Sequence, residues 1–256
     1  MVNYSFNEFM DIIRTLRSPH GCPWDREQTH ESLKTCLLEE CYEAIEAINN
    51  SDQDNLCEEL GDILLQVALH SVIAEEKKEF TIDEVITKET DKMIRRHPHV
   101  FGEATVHDTQ EVLDNWEDIK RQERSNTNIV DEIKKIPKAF PATIRAEKVQ
   151  KKAAKAGMDF EDQNQVIDKI DEELNELKEA IKSGDNRLIQ EEFGDVLFSL
   201  INLSRFLQIN AENSLTNATN KFINRFVDVF ALAESRGQSL CELNPAQQDD
   251  LWREVK

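Results

Sequence analysis

A repeated pattern of acidic residues is the feature of this sequence that most constrains its fold. The motif E-x-x-E followed by E-x-G-D occurs twice with the same internal gap, as Glu40, Glu43, Glu59 and Asp62, and then as Glu173, Glu176, Glu192 and Asp195. Further matches follow in the same order, from Lys92 and Arg96 to Lys221 and Arg225, and from Trp116 and Lys120 to Trp252 and Lys256. Repetition at a nearly constant offset indicates one module that is present twice.

The composition and the hydrophobic periodicity both indicate an all-α fold. The chain has only 7 glycines and 6 prolines in 256 residues, well below the roughly 12% of average proteins, whereas β-rich folds need many such residues in their turns. Apolar residues recur with helical spacing in ten segments. These predicted helices lie near residues 4–17, 30–49, 54–78, 82–96, 108–124, 142–156, 163–182, 186–208, 211–235 and 246–255.

The turn-like composition of residues 126–141, with two prolines, predicts a linker between an N-terminal module of residues 1–125 and a C-terminal module of residues 142–256. We therefore predict an all-α chain of tandem duplicated four-helix-type modules.

The charge of the chain excludes one large class of function. With 31 basic and 51 acidic residues the formal net charge is −20, and such a surface repels phosphate backbones, so we expect no direct nucleic-acid binding.

No stretch approaches the ~18 uninterrupted apolar residues of a membrane span, and the N-terminus does not resemble a signal peptide. The five cysteines are odd in number and include no C-x-x-C motif, which is typical of a cytoplasmic protein.

The helical spacing of the second motif predicts where its acidic residues lie. An apolar stripe runs through Val166, Ile170, Leu174, Leu177 and Ile181. Glu173 and Glu176 are expected on its flank. A similar stripe on the next helix runs through Ile189, Phe193, Val196, Leu200, Leu203 and Leu207, and Glu192 and Asp195 are expected on its flank. If the two stripes pack together, both acidic pairs converge at the edge of one helix interface.

Like charges at 4 Å repel by ~4 kcal/mol at an effective dielectric of 20. Either some of the four converging carboxylates are therefore protonated, with raised pKa values, or a divalent cation lies among them. All the ligands are oxygen atoms, which favours Mg²⁺, with Mn²⁺ as a substitute. Such a site could hydrolyse a phosphoanhydride. Candidate substrate-binding residues are Lys169, Glu191, Lys221, Arg225, Trp252 and Lys256; the basic ones would hold phosphates, and Trp252 would stack on a base or simply pack.

Several motifs together resemble the MazG family of all-α nucleoside triphosphate pyrophosphohydrolases. They are Leu16-Arg17, Gly21-Cys-Pro-Trp-Asp25, Gln28-Thr29, Glu39-Glu40-Cys-Tyr-Glu43, Glu58-Glu-Leu-Gly-Asp62, Arg95-Arg-His-Pro-His-Val-Phe101, the second acidic quartet and the Phe222–Arg225 region. The resemblance implies a four-helix-type module that dimerises, binds Mg²⁺ and hydrolyses an NTP or dNTP to the monophosphate and pyrophosphate. A house-cleaning role in nucleotide pools is expected from the family only.

By the same resemblance, Glu173, Glu176, Glu192 and Asp195 are metal ligands, and Glu172 orients or deprotonates the attacking water. The first quartet (Glu40, Glu43, Glu59 and Asp62) is a second possible metal site. We favour the C-terminal site, because the position of Lys169 is Cys36 in the first copy, although two working sites stay open.

Two other readings compete with this one. A di-iron bundle needs two Glu-x-x-His motifs, and the chain has only Glu27-x-x-His30. A non-catalytic helical interaction module is the second alternative. The six histidines are expected to make loop and cap hydrogen bonds, and the loop of residues 21–25 is expected to cap a helix with Trp24 buried.

Overall fold

The fold of the chain is all-α, as its composition predicts. The computed structural model describes residues 3–123 and 128–256, and these residues form helices and one 3₁₀ turn with no β-strand among them. The chain divides into two compact units, residues 1–125 (unit 1) and 126–256 (unit 2). In the described part of the chain, no helix is long and apolar enough to cross a membrane.

Unit 1 is built around a long helix, Gln53–Lys77, that carries the second half of the first acidic motif. Its helices are α1 (Phe6–Arg17), α2 (Pro23–Glu27), α3 (Lys34–Asn50), α4 (Gln53–Lys77), α5 (Ile82–Arg96), α6 (Pro98–Phe101) and α7 (Thr109–Glu123). Helix α4 packs along α3 and also contacts α1 and α5, while α5 contacts α6 and α7. The core lies where α1, α4 and the start of α5 meet, with Met10, Ile13, Leu69 and Ile73 almost fully buried.

Unit 2 contains a second helix hairpin of the same kind. Its helices are α8 (Ile129–Lys134), α9 (Ala142–Lys155), α10 (Gln163–Ser183), α11 (Asn186–Phe206), α12 (Ala211–Ser235), a 3₁₀ turn (Leu240–Glu242) and α13 (Pro245–Glu254). Helices α10 and α11 pack along one another, α9 packs on α8 and α11, and α12 packs on α9 and α13. Each unit thus carries its acidic motif on a hairpin of two long helices, α3–α4 or α10–α11.

Short polar sequences set the turns of these hairpins. Helix α10 ends at Gly184, whose φ of 72° is left-handed, a conformation that glycine adopts at little cost. The carboxylate of Asp185 then accepts hydrogen bonds from the backbone N–H groups of Arg187 and Leu188 and caps α11. In unit 1 the Asp52 side chain caps α4 in the same way. The two helices of each hairpin therefore follow one another directly and become neighbours.

The structure contains each of the ten helices that the periodicity predicts, together with three short ones that it does not. The additional helices are α2, α6 and α8, of four to six residues each. Helices α2 and α6 begin at Pro23 and Pro98, and α8 follows the capping side chain of Asn128 inside the segment expected to be a linker. Helices this short are too brief to establish a hydrophobic period.

The prediction that Trp24 is buried is wrong. Its side chain lies on the one-and-a-half-turn helix α2 and is 59% exposed. The loop before it is nevertheless tight at Gly21, where a Cβ atom would lie 2.2 Å from the Leu16 carbonyl oxygen. The glycine is therefore required by the close approach of the backbone, whereas the neighbouring tryptophan is not required to pack.

A buried arginine joins this loop to the core helix of unit 1. The Arg17 side chain is 4% exposed, and its Nε and Nη2 atoms donate to the Glu76 carboxylate at 2.9 and 2.8 Å. Its Nη1 atom donates to the carbonyl oxygens of Asp25 and Gln28. One side chain therefore ties the end of α1 to α4 and to the C-terminal half of α2.

We expect Arg17→Met to lower the free energy of unfolding by about 2–3 kcal/mol, because it leaves the Glu76 carboxylate and two carbonyl groups without their partner. The matched control is Arg14→Met, since Arg14 makes a similar forked pair with Glu75 but its side chain is 42% exposed. Its expected cost is below ~1 kcal/mol. Urea denaturation measures both, and equal costs would contradict the assignment.

Candidate metal and nucleotide site

The hairpin of unit 2 gathers three of the four predicted ligands. One carboxylate oxygen from each of Glu173, Glu192 and Asp195 lies within 4.8 Å of the others. Glu173 comes from α10, and the other two come from α11. The fourth predicted ligand, Glu176, is outside this tight group but is close enough to raise the pKa of Glu192. The packing of α10 on α11 is what brings the four residues to one place.

Glu173 lies inside the packing face of α10, and the prediction that it lies on the flank is wrong. The buried positions of α10 are Val166, Ile170, Glu173 and Ala180, and Glu173 is 7% exposed. The apolar residues Leu174 and Ile181, which were expected to pack, are 36% and 59% exposed. The apolar arc of α10 is wider than the face that its partner helix covers, so periodicity alone does not locate the centre of that face.

In helix α11, as in α10, the face that packs is not the one that the apolar stripe predicts. Three residues of its predicted apolar stripe, Phe193, Leu200 and Leu207, are 54%, 46% and 47% exposed. The buried positions are Val196, Ser199, Asn202 and Ser204, and Glu192 is half-buried. The hairpin therefore turns Glu173, and in part Glu192, inward together with small polar side chains, while Glu176 and Asp195 stay exposed and bulky apolar side chains lie outside.

A lysine partly neutralises the cluster of unit 2. The ammonium nitrogen of Lys169 lies 2.9 Å from Glu172 Oε1 and 2.8 Å from Glu173 Oε1. The two carboxylates hold the pKa of Lys169 above its usual range, so the lysine is charged. Burial first, and then the neighbouring carboxylates of Glu176 and Asp195, raise the pKa of Glu192. The site therefore retains an excess of negative charge that a cation would relieve.

An open groove borders the carboxylates. Its volume is about 610 Å³, and it is lined by Glu172, Asn175, Glu176, Glu179, Ala180, Ser183, Leu188 and Glu192. The sequence reasoning singled out the acids Glu172, Glu176 and Glu192 but not the polar residues Asn175 and Ser183. The signal that could have found them is helical spacing, because Asn175 lies three residues after Glu172 and Ser183 lies seven residues, about two turns, after Glu176.

Unit 1 has a cluster of the same kind but without a lysine. Carboxylate oxygens of Glu40, Glu43 and Glu59 lie within 4.8 Å of one another, and Asp62 is the outlying member. Glu59 is 8% exposed, and its Oε2 atom is buried with no hydrogen-bond partner in the described part of the chain. At the position of Lys169 stands the half-buried thiol of Cys36. Burial first, and then neighbouring carboxylates, raise the pKa values of Glu40 and Glu59.

The other predicted substrate residues lie on other parts of unit 2. Lys221 and Arg225 are on α12, where Lys221 is exposed and Arg225 half-buried, and neither forms an ion pair with a residue that the structure describes. Trp252 packs on Phe222, with 5.3 Å between ring centroids, in the cluster formed by α12 and α13. Lys256 is exposed at the end of the sequence, and Glu191 is exposed beside Glu192. No hydrogen bond, ion pair or ring contact joins these residues to the carboxylate cluster in the described ranges.

The corresponding basic residues of unit 1 are engaged with acids. Lys92 pairs with Glu89 one turn away on α5. Arg95 and Arg96 both bind the carboxylate of Glu123, each at a shortest distance of 2.6 Å. The two units therefore differ in two respects: the lysine beside the carboxylates, and the freedom of the basic residues on the helix that follows the hairpin.

Two histidines outside the acidic motifs contact each other. The Nδ1 atoms of His30 and His70 are 2.8 Å apart, and the rings stack with centroids 5.1 Å apart. His30 therefore faces another imidazole, and not a carboxylate bundle of the di-iron type. His97 makes a hydrogen-bond contact from Nδ1 to the Met93 carbonyl oxygen, at 2.7 Å, near the end of α5.

The negative charge of the carboxylate cluster in unit 1 leads to a testable prediction for the variant Glu59→Gln. Because the folded state raises the pKa of Glu59, this group contributes most to stability below its unfolded pKa, and that contribution is lost as pH rises through the folded value. In EDTA at pH 8 we expect the variant to melt a few degrees higher than the parent protein, with the difference vanishing near pH 4. The control is Glu46→Gln, an exposed acid on the other helix of the hairpin, α3, that is not a member of the cluster. A variant that is less stable than the parent at both pH values would contradict the prediction.

Comparison with known proteins identifies a matching family and several relatives of this chain. The model of the MazG nucleotide pyrophosphohydrolase domain matches residues 28–101 and 161–230, one segment in each unit. A Thermotoga maritima protein named nucleoside triphosphate pyrophosphohydrolase/pyrophosphatase MazG is 47% identical over 98% of this chain and 95% of its own. The Escherichia coli nucleoside triphosphate pyrophosphohydrolase is 37% identical over 98% of this chain and 96% of its own.

A third relative is longer than this chain. The Bacillus subtilis protein YabN is 45% identical over the full length of this chain and 52% of its own. Both matched segments of the family model contain an acidic motif, and each motif lies on a two-helix hairpin whose carboxylates converge. The chain belongs to the MazG nucleotide pyrophosphohydrolase family and carries the family domain twice.

Proposed function

We propose that this protein hydrolyses nucleoside triphosphates, NTP or dNTP, to the monophosphate and pyrophosphate at the carboxylate cluster of unit 2, with bound Mg²⁺ or, as a substitute, Mn²⁺. The observation that carries the proposal is the convergence of Glu173, Glu192 and Asp195 beside a charged lysine and an open groove. The names of the Thermotoga and Escherichia relatives, both nucleoside triphosphate pyrophosphohydrolases, support the reaction.

The donor set fits a hard divalent cation. Glu173, Glu176, Glu192 and Asp195 offer oxygen atoms only, and the raised pKa of Glu192 reports negative charge that Lys169 does not balance. A cation in this cluster would neutralise charge on the phosphates and on the leaving pyrophosphate. The clusters of both units share this chemistry, so Glu40, Glu43, Glu59 and Asp62 are proposed as a second metal site.

The side chains around the cluster have separate roles in the proposed reaction. Glu172 lines the groove and is 57% exposed at its side chain, which suits it to orient a water molecule and accept its proton. The water oxygen forms a bond to the α-phosphorus, and the bond from that phosphorus to the bridging oxygen of the pyrophosphate breaks. Lys169, released in part from Glu172, would hold a phosphate oxygen. Lys221 and Arg225 would bind the remaining phosphates, with Trp252, Glu191 and Lys256 as further contacts.

Unit 2 is the better candidate for turnover for two reasons. Lys169 supplies a positive charge beside the carboxylates, whereas unit 1 has the neutral thiol of Cys36 there. Lys221 and Arg225 have no acidic partner in the described part of the chain, whereas their counterparts Lys92 and Arg96 are paired. A broad, house-cleaning substrate range and a cytoplasmic location belong to the same proposal, and the five free cysteines suit a reducing compartment.

The reaction is tested by assaying pyrophosphate and orthophosphate separately from a panel of NTPs and dNTPs, with Mg²⁺, Mn²⁺ or EDTA. We expect pyrophosphate release that needs the cation and falls by about 100-fold or more in Glu173→Gln, because one carboxylate ligand is lost. The matched control is Asp171→Asn, an exposed acid on the opposite side of α10, which should retain full activity.

The outcomes separate the competing interpretations. Loss of activity in Glu40→Gln alone would move the reaction to unit 1, and partial loss in both variants would mean two working sites. Orthophosphate in place of pyrophosphate would mean that a different bond is cleaved. No turnover with any nucleotide would favour the alternative, a non-catalytic helical interaction module.

A homodimer is the second part of the proposal. Two separate globules of about 15 kDa would expose ~14,000 Å² in total, whereas this chain exposes 18470 Å². The excess is about 4,400 Å² for each chain, which is enough surface for an obligate interface that buries ~2,000–5,000 Å² summed over both chains. Much of it is apolar, because α11 exposes Phe193, Leu197 and Leu200, and α12 exposes Phe222 and Phe226. A second copy of the same chain would cover such faces with equally apolar ones.

We expect the protein to sediment as a dimer at micromolar concentration, and we expect Phe193→Asp combined with Leu197→Asp to shift it to monomers or to unfold unit 2. The control is Met158→Asp, because Met158 is 81% exposed and lies outside any helix. Analytical ultracentrifugation measures the mass, and circular dichroism separates dissociation from unfolding. A folded monomer of the parent protein would exclude the dimer.

A further inference from the structure

Two histidines of unit 1 share a single hydrogen bond. The Nδ1 atoms of His30 and His70 lie 2.8 Å apart, so one nitrogen must carry a hydrogen and the other a lone pair. The Nε2 atom of His30 lies 3.9 Å from Glu79 Oε2. Because a carboxylate only accepts hydrogen bonds, the hydrogen of neutral His30 belongs on Nε2. His30 Nδ1 is then the acceptor, and the Nδ1–H group of His70 is the donor.

This histidine pair lies at the open end of the α3–α4 hairpin. His30 lies in the turn of residues 28–33 directly before α3, and His70 lies on the second half of α4. The opposite end of the hairpin is closed by the chain itself, at residues 51–52. Helix α3 has no side-chain cap, and its N-cap residue, Leu33, is 1% exposed in the core. The first turn of α3 therefore depends on contacts with other elements, and the hydrogen bond from His70 is one of them.

Unit 2 has no counterpart of this pair. At the repeat offset of 133 residues, Gln163 stands for His30 and Leu203 for His70. The start of α10 is capped instead by Asp162, whose carboxylate accepts hydrogen bonds from two backbone N–H groups, and these bonds lower the pKa of Asp162. That cap stays charged in mild acid. The start of α3 depends on imidazoles, whose ordinary pKa of about 6.5 lies close to neutrality.

The surroundings of the pair favour its neutral form. Burial, and then the nearby His30, lower the pKa of His70. Among the described residues, Glu79 is the carboxylate within ion-pair distance of the pair, and its side chain is 54% exposed. The other charged side chains on the turn, on α1 and α4 and at the start of α5 are engaged elsewhere: Glu31 with Lys34, Arg17 with Glu76, Arg14 with Glu75, and Glu84 with the Thr81 N–H group.

We propose that the His30–His70 pair is a pH-sensitive switch in unit 1, which fixes the start of α3 to α4 at neutral pH and releases it in mild acid. The first proton binds to His70 Nε2, the free lone pair, and the hydrogen bond survives with a charged donor. The second proton binds to His30 Nδ1, which removes the acceptor and sets two positive charges against each other. No covalent bond changes, and the switch does not depend on the proposed hydrolysis.

The direction of the pH effect follows from linkage. The closed form lowers the pKa of His70, so the open form binds protons more readily, and the contribution of the closed pair is complete above about pH 6.5 and is lost as the pH falls through the lowered value. Opening exposes the backbone N–H groups of the first turn of α3 to exchange with solvent.

The experiment measures hydrogen–deuterium exchange of the full chain in EDTA by mass spectrometry, at pH 7.5 and 5.5, after correction for the intrinsic pH dependence of exchange. We expect exchange in residues 30–38 to rise by about tenfold or more at pH 5.5, and exchange in residues 163–171 of unit 2 to change by less than about twofold. The rise should vanish in His30→Gln/His70→Gln, because neither amide titrates. The matched control is His107→Gln, which replaces an exposed histidine of unit 1 and should keep the rise.

A second measurement needs no variant. The Cε1–H resonances of the parent protein, followed by NMR against pH, should show separate titration steps for His30 and His70, the lower of which coincides with the onset of exchange. This titration decides the question if the double variant does not fold, as judged by its melting curve. A rise in exchange that persists in the folded double variant, no rise in the parent, or two histidines that titrate together at the midpoint of His107 would overturn the proposal.

Discussion

The inward position of the acidic residues in the two helix hairpins is the constraint on which the rest of the structure depends. A glutamate at the centre of a packed helix face would ordinarily be avoided, because burial disfavours its charged form. Here Glu59 and Glu173 both occupy such positions, at 8% and 7% exposure. Each needs a positive partner, and the surroundings of each determine which partner it has. The need of a buried carboxylate for a positive partner therefore connects the fold directly to the proposed binding of a cation.

The two units meet this requirement differently. In unit 2 the Lys169 ammonium contacts both Glu172 and Glu173, so that part of the negative charge is balanced before any ligand binds. In unit 1 the equivalent position is Cys36, and Glu59 Oε2 has no hydrogen-bond partner among the residues that the structure describes. The basic residues on the next helix follow the opposite trend, since those of unit 1 are bound to acids, whereas Lys221 and Arg225 of unit 2 form no ion pair within residues 3–123 and 128–256. One unit therefore has carboxylates that lack a cation, and the other has cations that lack an anion.

The sequence predicted the helices and the convergence of the acids, because both depend on local periodicity and on a motif that occurs twice. It did not predict which side of α10 and α11 packs. The apolar arcs through Leu174 and Phe193 are broad. Periodicity alone does not tell which part of such an arc packs against the partner helix and which part stays exposed in the single chain. The His30–His70 contact and the Arg17–Glu76 pair join residues 40 and 59 positions apart. No short-range pattern encodes such contacts.

The exposed apolar side of each hairpin has the same origin as the buried acidic side. A helix with carboxylates on or beside its packing face has fewer positions for apolar residues there, and in α11 the bulky side chains Phe193, Leu197 and Leu200 are exposed. Apolar surface gains about 25 cal/mol for each Å² removed from water. The association of two such faces would therefore supply stabilisation that the acidic interface within the unit cannot. On this argument the proposed metal site and the proposed dimer are connected, because placing Glu173 and part of Glu192 on the packing face leaves less of that face for hydrophobic packing.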